Sequence, residues 1–261
     1  MRKTALTMLL MLGTAATVDS APPRILIASD STAANYASDQ FPQMGWGMFL
    51  GCSLDPGSEV INRARGGRST RTFLSEGLWS ALLAEIRPGD TVLIQFGHND
   101  EDLKKPQRHT EANGEYRENL ERFVRDVRAK QGRPVLVTPV ARHAFGDGHI
   151  RPTHGDYAKA VIAAARTTRT PLIDLDADSR AFLDKQGEAA SARYFMIYAP
   201  DDHIARFPEG HNDTTHLNEL GARATARIVA NALAKLRLPI SHHVHPDDPG
   251  AAVARGNAAC G

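Results

Sequence analysis

Cysteine is nearly absent from this sequence: Cys52 and Cys260 are the full complement of a 261-residue chain. Excess charge is lacking too. Lys and Arg number 31 against 30 Asp and Glu, a formal net charge of +1, so no global field recruits nucleic acid or a membrane surface. Beyond the N-terminal leader, no apolar run approaches the ~18 residues a membrane-spanning helix needs. Several chemical signatures are also missing. There is no G-x-G-x-x-G after a first strand, no G-x-x-x-x-G-K-[ST], no H-E-x-x-H and no G-x-S-x-G. The usual signals of nucleotide binding, zincin chemistry and the α/β-hydrolase elbow are therefore gone.

What is present is an ordinary globular balance, 42% hydrophobic and 23% charged, enough for one sizeable core. Arg2 and Lys3 precede an apolar run from Ala5 to about Ala16, and small residues follow around Val18 to Ala21. That is the shape of a secretory signal peptide over residues 1–21, which predicts a secreted or periplasmic protein. Export permits a Cys52–Cys260 disulfide. A buried thiol and a loose tail thiol fit equally well, since spacing alone supplies no geometry.

Short apolar runs alternate with helical patterns. Strands are expected at Arg24–Ala28, Glu59–Asn62, Thr91–Gln95, Val135–Thr138 and Leu172–Asp174. Several of these are continuous apolar runs, which suits strands covered on both faces. Tyr116, Leu120, Phe123, Val124 and Val127 fall at helical spacing, and so do Leu220, Ala224 and Ile228 within Leu217–Leu236. This alternation predicts a parallel sheet between helices. A single domain over 22–240 follows, with a poorly structured tail at 241–261, where Pro, Gly, Ala and His occur without periodicity. The tail histidines His242, His243 and His245 are expected to carry no function.

Four polar blocks carry the chemistry. Ser29-Asp30-Ser31-Thr32 ends the first strand and exposes a hydroxyl, though Asp, Ser and Thr are equally good turn or cap residues. Gly66-Gly67-Arg68-Ser69 follows the second strand; paired glycines let a backbone N–H approach a ligand, or simply make a tight turn. Phe96-Gly97-His98-Asn99-Asp100 ends the third, where an Asn amide can serve an oxyanion or a turn. Asp213-Thr214-Thr215-His216 places a carboxylate three residues from an imidazole, just before the last helix.

In this order the four blocks resemble the SGNH (GDSL-like) hydrolases. The A-x-G-G-R-S turn, the F-G-H-N-D block and the D-x-T-H-x-x-x-x-G-A ending are most similar to the rhamnogalacturonan acetylesterase branch. The resemblance spans about residues 25–235. It implies a three-layer α/β/α sandwich, flavodoxin-like, around a five-stranded parallel sheet. It implies Ser31 as nucleophile, His216 as general base and Asp213 as its orienting carboxylate. Ser31, Gly67 and Asn99 would form the oxyanion hole, with Arg68 and His98 as substrate-binding candidates. No metal or cofactor is implied. The expected partner is an acetylated polysaccharide or oligosaccharide such as pectic rhamnogalacturonan, acted on by a monomer without nucleic acid or membrane. One departure is Ser29, where the family has glycine.

Arginines cluster around the second block (Arg63, Arg65, Arg68, Arg71), and Arg142, His143, His149 and Arg151 follow the fourth strand. They suit the carboxylates of an acidic polysaccharide, or are simply solvated. Two other readings remain: an esterase of the same family for another small acyl ester, and a metal-dependent hydrolase using His211, Asp213 and His216.

Overall fold

The computed structural model describes residues 22–260; the leader expected at 1–21 lies outside them. The central sheet is built from β1 (Arg24–Ala28), β2 (Glu59–Asn62), β3 (Thr91–Gln95) and β4 (Arg133–Val137). A small hairpin, β5 (Phe145–Gly146) and β6 (His149–Ile150), precedes its last strand, β7 (Leu172–Ile173). All five central strands run parallel in the order β2-β1-β3-β4-β7.

Alternate residues of each strand feed opposite layers, as a pleat requires. Leu26, Val92, Ile94 and Leu136 pack with Leu82 of α2 (Leu78–Glu85, following the short α1, Thr70–Ser75). The same layer holds Phe123 of α3 (Arg117–Ala129) and Val161 of α4 (Gly155–Thr168). Ile25, Ile27, Leu93, Val135 and Ile173 face the other way. They meet Leu183 of α5 (Leu175–Gln186), which leads through α6 (Glu188–Ser191), and Val229 and Leu233 of α7 (Glu219–Lys235). Burial on both faces explains why these strands read as unbroken apolar runs. The strand order reverses between β1 and β3, and ligands in open α/β sheets gather at the carboxyl ends beside such a switch.

One strand was unforeseen and one expectation needs correction. The Asp213–His216 block does lie just before the last helix, α7, but it is not free of regular structure. It belongs to β9 (His211–Leu217), which pairs antiparallel with β8 (Phe195–Tyr198) outside the main sheet. Asn and Asp are poor strand formers, so composition masked it. The segment after residue 240 is also not a loose tail. Ile240, Val244 and Ala252 are buried in the core, and Val244 bridges Leu54. The Glu219 carboxylate accepts the N–H groups of Arg255 and Gly256, both at 2.7 Å. Arg223 donates to the carbonyls of Asn257 and Ala259. Cys52 and Cys260 form a disulfide with Cα atoms 5.1 Å apart. Backbone without periodicity is here satisfied by the side chains of a neighbouring helix and a covalent bond, neither visible in a hydrophobic pattern.

Candidate active site

The turn after β1 is fixed from several sides. Asp30 is fully buried, and its Oδ1 accepts the Thr32 N–H at 2.9 Å and the Thr32 hydroxyl at 2.8 Å, a local Asx turn. Gln95 Nε2 donates to Thr32 Oγ1 at 2.7 Å, while the Trp46 indole donates to Gln95 Oε1 at 2.8 Å. Burial alone would raise the Asp30 carboxyl, yet His98 and the Thr32 donors hold it below the usual carboxylate range. Ser29 is completely buried, with its carbonyl accepting the Arg65 N–H at 2.9 Å. The departure from glycine thus places no second accessible hydroxyl beside Ser31.

Ser31 meets the other end of the chain here. His216 Nε2 lies 3.0 Å from Ser31 Oγ, and His216 Nδ1 lies 2.7 Å from Asp213 Oδ2. With Nδ1–H donating to the carboxylate, Nε2 is left to accept from the serine hydroxyl. Asp213 Oδ1 accepts the N–H groups of Thr215 at 2.8 Å and His216 at 3.0 Å. Burial opposes ionisation of Asp213, but these bonds and the imidazole outweigh it and hold the carboxyl well below its ordinary range.

The spacing of the fourth block has a structural cause. Consecutive residues Phe195 and Met196 pair with Leu217 and Asp213, so Thr214, Thr215 and His216 bulge out of the ladder. Bulges redirect side chains, and this one is anchored where the His143 N–H donates to the Thr214 carbonyl at 2.8 Å.

The second and third blocks are tied together beside Ser31. Gly67 adopts φ +77°, a conformation that favours glycine, and a Cβ on Gly66 would sit 3.8 Å from Ser31 Cβ. Asn99 Nδ2 donates to the Arg68 carbonyl at 2.9 Å. Asp100 is fully buried and accepts the Thr70 N–H, the Thr70 hydroxyl at 2.6 Å and the Thr110 hydroxyl at 2.8 Å. Burial nevertheless pushes its carboxyl up to about 7.

A groove of about 560 Å³ opens over these groups, lined by Ser31, Asn99, His216 and the cationic side chains Lys104, Arg108 and Arg142 among others. Arg108 is paired with Asp102 at 2.6 Å, and Arg142 is paired with Glu101. The sequence signalled Arg142 but not Lys104 or Arg108, which lie in a loop without motif or periodicity.

The two substrate-binding candidates fare differently. His98 lines the groove, its Nδ1 3.4 Å from Asp30 Oδ2 and its ring edge-on to His154; burial lowers it to about 4, so it is neutral near pH 7. Arg68 is not on the groove wall: it pairs with Glu76 at 2.9 Å and donates to the Gly66 carbonyl. His211 stacks flat on Phe207, with ring centroids 4.1 Å apart. Among the described residues, no three His, Cys, Asp or Glu side chains converge as a metal-binding group, so the His211–Asp213–His216 reading loses its ligand set.

Comparison with known proteins fits this geometry. The chain is 39% identical over 220 residues to the probable rhamnogalacturonan acetylesterase YesY of Bacillus subtilis, covering 84% of this chain and 96% of that one. Identity to rhamnogalacturonan acetylesterase RhgT of the same organism is 37% over 224 residues, covering 85% and 94%. Among solved structures, the YxiM protein of B. subtilis superposes with a TM-score of 0.71 at 30% identity, over 84% of this chain and 58% of that one. An acetylxylan esterase of Geobacillus stearothermophilus, at 20% identity, shares the fold with a TM-score of 0.56 over 82% and 93%. Residues 30–224 match the family model, from the turn that carries Ser31 to the helix that follows His216, and the chain belongs to the GDSL-like lipase/acylhydrolase family.

Proposed function

We propose that this chain is a serine carbohydrate esterase that removes acetyl groups from a plant cell-wall polysaccharide, pectic rhamnogalacturonan foremost, through an acetyl-Ser31 intermediate. The observation that carries the reading is the continuous contact from Ser31 Oγ through His216 to Asp213. His216 Nε2 takes the Ser31 proton as Oγ attacks the acetyl carbonyl, and Asp213 steadies the imidazolium. The developing oxyanion is met by the N–H groups of Ser31 and Gly67 and by the Asn99 amide. Collapse returns the proton to the sugar oxygen and leaves acetyl-Ser31, and water then repeats the sequence to release acetate. Arg108 and Arg142 on the groove wall are already met by Asp102 and Glu101, which leaves Lys104 as the cation that suits a substrate bearing carboxylates. The leader expected at 1–21 and the Cys52–Cys260 bridge support a reading in which the enzyme is exported to an oxidising compartment.

The test is acetate release from acetylated rhamnogalacturonan and acetylated xylan by wild type and Ser31→Ala. Activity that vanishes in the variant and favours the pectic polymer is the expected result. Preference for xylan overturns the pectic assignment, and turnover that survives in Ser31→Ala overturns the serine mechanism.

A further inference from the structure

We propose that Tyr36, held by Gln43, is a positioning residue that sets the attack geometry of Ser31; this rests on the reading of Ser31 as nucleophile. The Tyr36 hydroxyl donates to the Ser31 carbonyl at 2.8 Å. At the other end of the same peptide unit, the Thr32 N–H donates to Asp30 Oδ1 at 2.9 Å. A peptide is planar, so pinning both ends fixes the backbone torsion of Ser31 on its carbonyl side, and with it the bearing of Cβ and Oγ.

The same tyrosine leads to the imidazole. Its oxygen accepts from Gln43 Nε2 at 2.8 Å. Gln43 forms an isolated antiparallel bridge with Asn218, and the Met44 N–H donates to the Leu217 carbonyl at 3.0 Å. Leu217 directly follows His216. Ser31 and His216 stand 185 residues apart, one after a strand of the main sheet and the other on the separate β8–β9 pair. No shared ladder sets their separation. The path Ser31–Tyr36–Gln43–Asn218 supplies that link.

The loop itself is braced. Asn62 Nδ2 donates to the Ala33 carbonyl at 2.7 Å and to Asn35 Oδ1 at 2.8 Å. Burial, with the Asp30 and Asp213 carboxylates adding to it, pushes the Tyr36 phenol further above its usual range. The hydroxyl therefore keeps its proton and remains a donor.

Tyr36→Phe deletes one oxygen and tests the link directly, with p-nitrophenyl acetate kinetics and thermal melting measured together. Acylation and deacylation use the same Ser31 geometry, so kcat is expected to fall about tenfold at unchanged KM. Gln43→Leu is expected to lower kcat less, and the double variant to be no slower than Tyr36→Phe, because Gln43 acts through Tyr36. Should Tyr36→Phe not fold, Gln43→Leu carries the same kcat-against-KM test. A lower melting temperature with wild-type kcat, or losses that multiply in the double variant, overturns the proposal. Ser31→Ala is run alongside. Turnover surviving there overturns the nucleophile reading, whereas an inactive Ser31→Ala with wild-type kcat in Tyr36→Phe overturns the positioning role alone.

Discussion

Asn99 gives one amide hydrogen to the Arg68 carbonyl, and a carboxamide has two to give. Asn99→Ala removes both the tie and the donor proposed for the oxyanion. Turnover of p-nitrophenyl acetate is expected to fall roughly 10²–10³-fold, and a kcat near wild type would take Asn99 out of the oxyanion hole. Its neighbour Asp100 makes a prediction about pH. Its carboxyl is raised in the fold to about 7 against ~3.9 in an unfolded chain. A raised group contributes stability that is fully present below the unfolded value and lost as pH rises through the folded one. The melting-temperature difference between Asp100→Asn and wild type is therefore expected to move in the variant's favour from pH 4 to pH 8. A difference constant over that range would show that Asp100 does not titrate there. Ser31, Asp213 and His216 were legible in the sequence because each block follows a strand or precedes a helix in the family's order. Arg108 was not, since only the fold brings its guanidinium to the Gly67 carbonyl, 3.4 Å away.

The junction of β9 and α7 is where element structure and chemistry meet. Asn218 caps α7 by accepting the Gly221 N–H at 3.0 Å, and its amide donates to the carbonyls of Arg193 and Phe195. Gly221 is fitted closely against the same segment: a Cβ there would lie 1.8 Å from the Tyr194 carbonyl oxygen. Asn218→Ala loses a cap and two buried bonds, about 2 kcal/mol or more, a melting temperature lower by roughly 5 °C. Because the junction also seats His216, kcat is expected to fall with it. An unchanged melting curve would show that the cap contributes little. The five central strands were legible from their apolar runs to within two residues at each end. β9 was hidden because His-Asn-Asp-Thr-Thr-His offers neither alternation nor β-branched bulk beyond its two threonines, and without it the short apolar run of β8 had no evident partner.

At the scale of the whole molecule, the C-terminal segment is a strap across the N-terminal end of α7, closed by a bond between residues 208 positions apart. Closing so long a loop removes much unfolded-state freedom. Cys260→Ser, or reductant, is expected to cost about 2–5 kcal/mol in stability, read by calorimetry. Turnover at 25 °C should stay unchanged, because no residue after 240 lines the groove. An unaltered melting temperature would mean the strap holds without its bond. Sequence alone left the two thiols undecided, because the distance between their Cα atoms is a property of the fold.

The closed bond also has a mechanical consequence. Residues 52–260 form a covalent ring that tension along the chain cannot open, whereas β1 and Ser31 lie on the free arm before Cys52. Pulled between residue 22 and Cys260, the protein can pay out only residues 22–52, about 100 Å at ~3.3–3.6 Å per residue. That arm includes the strand seated between β2 and β3. Force would therefore strip Ser31 away from His216 while the ring holding Asp213, His216 and Asn99 stayed closed, and reduction would lengthen the trace severalfold.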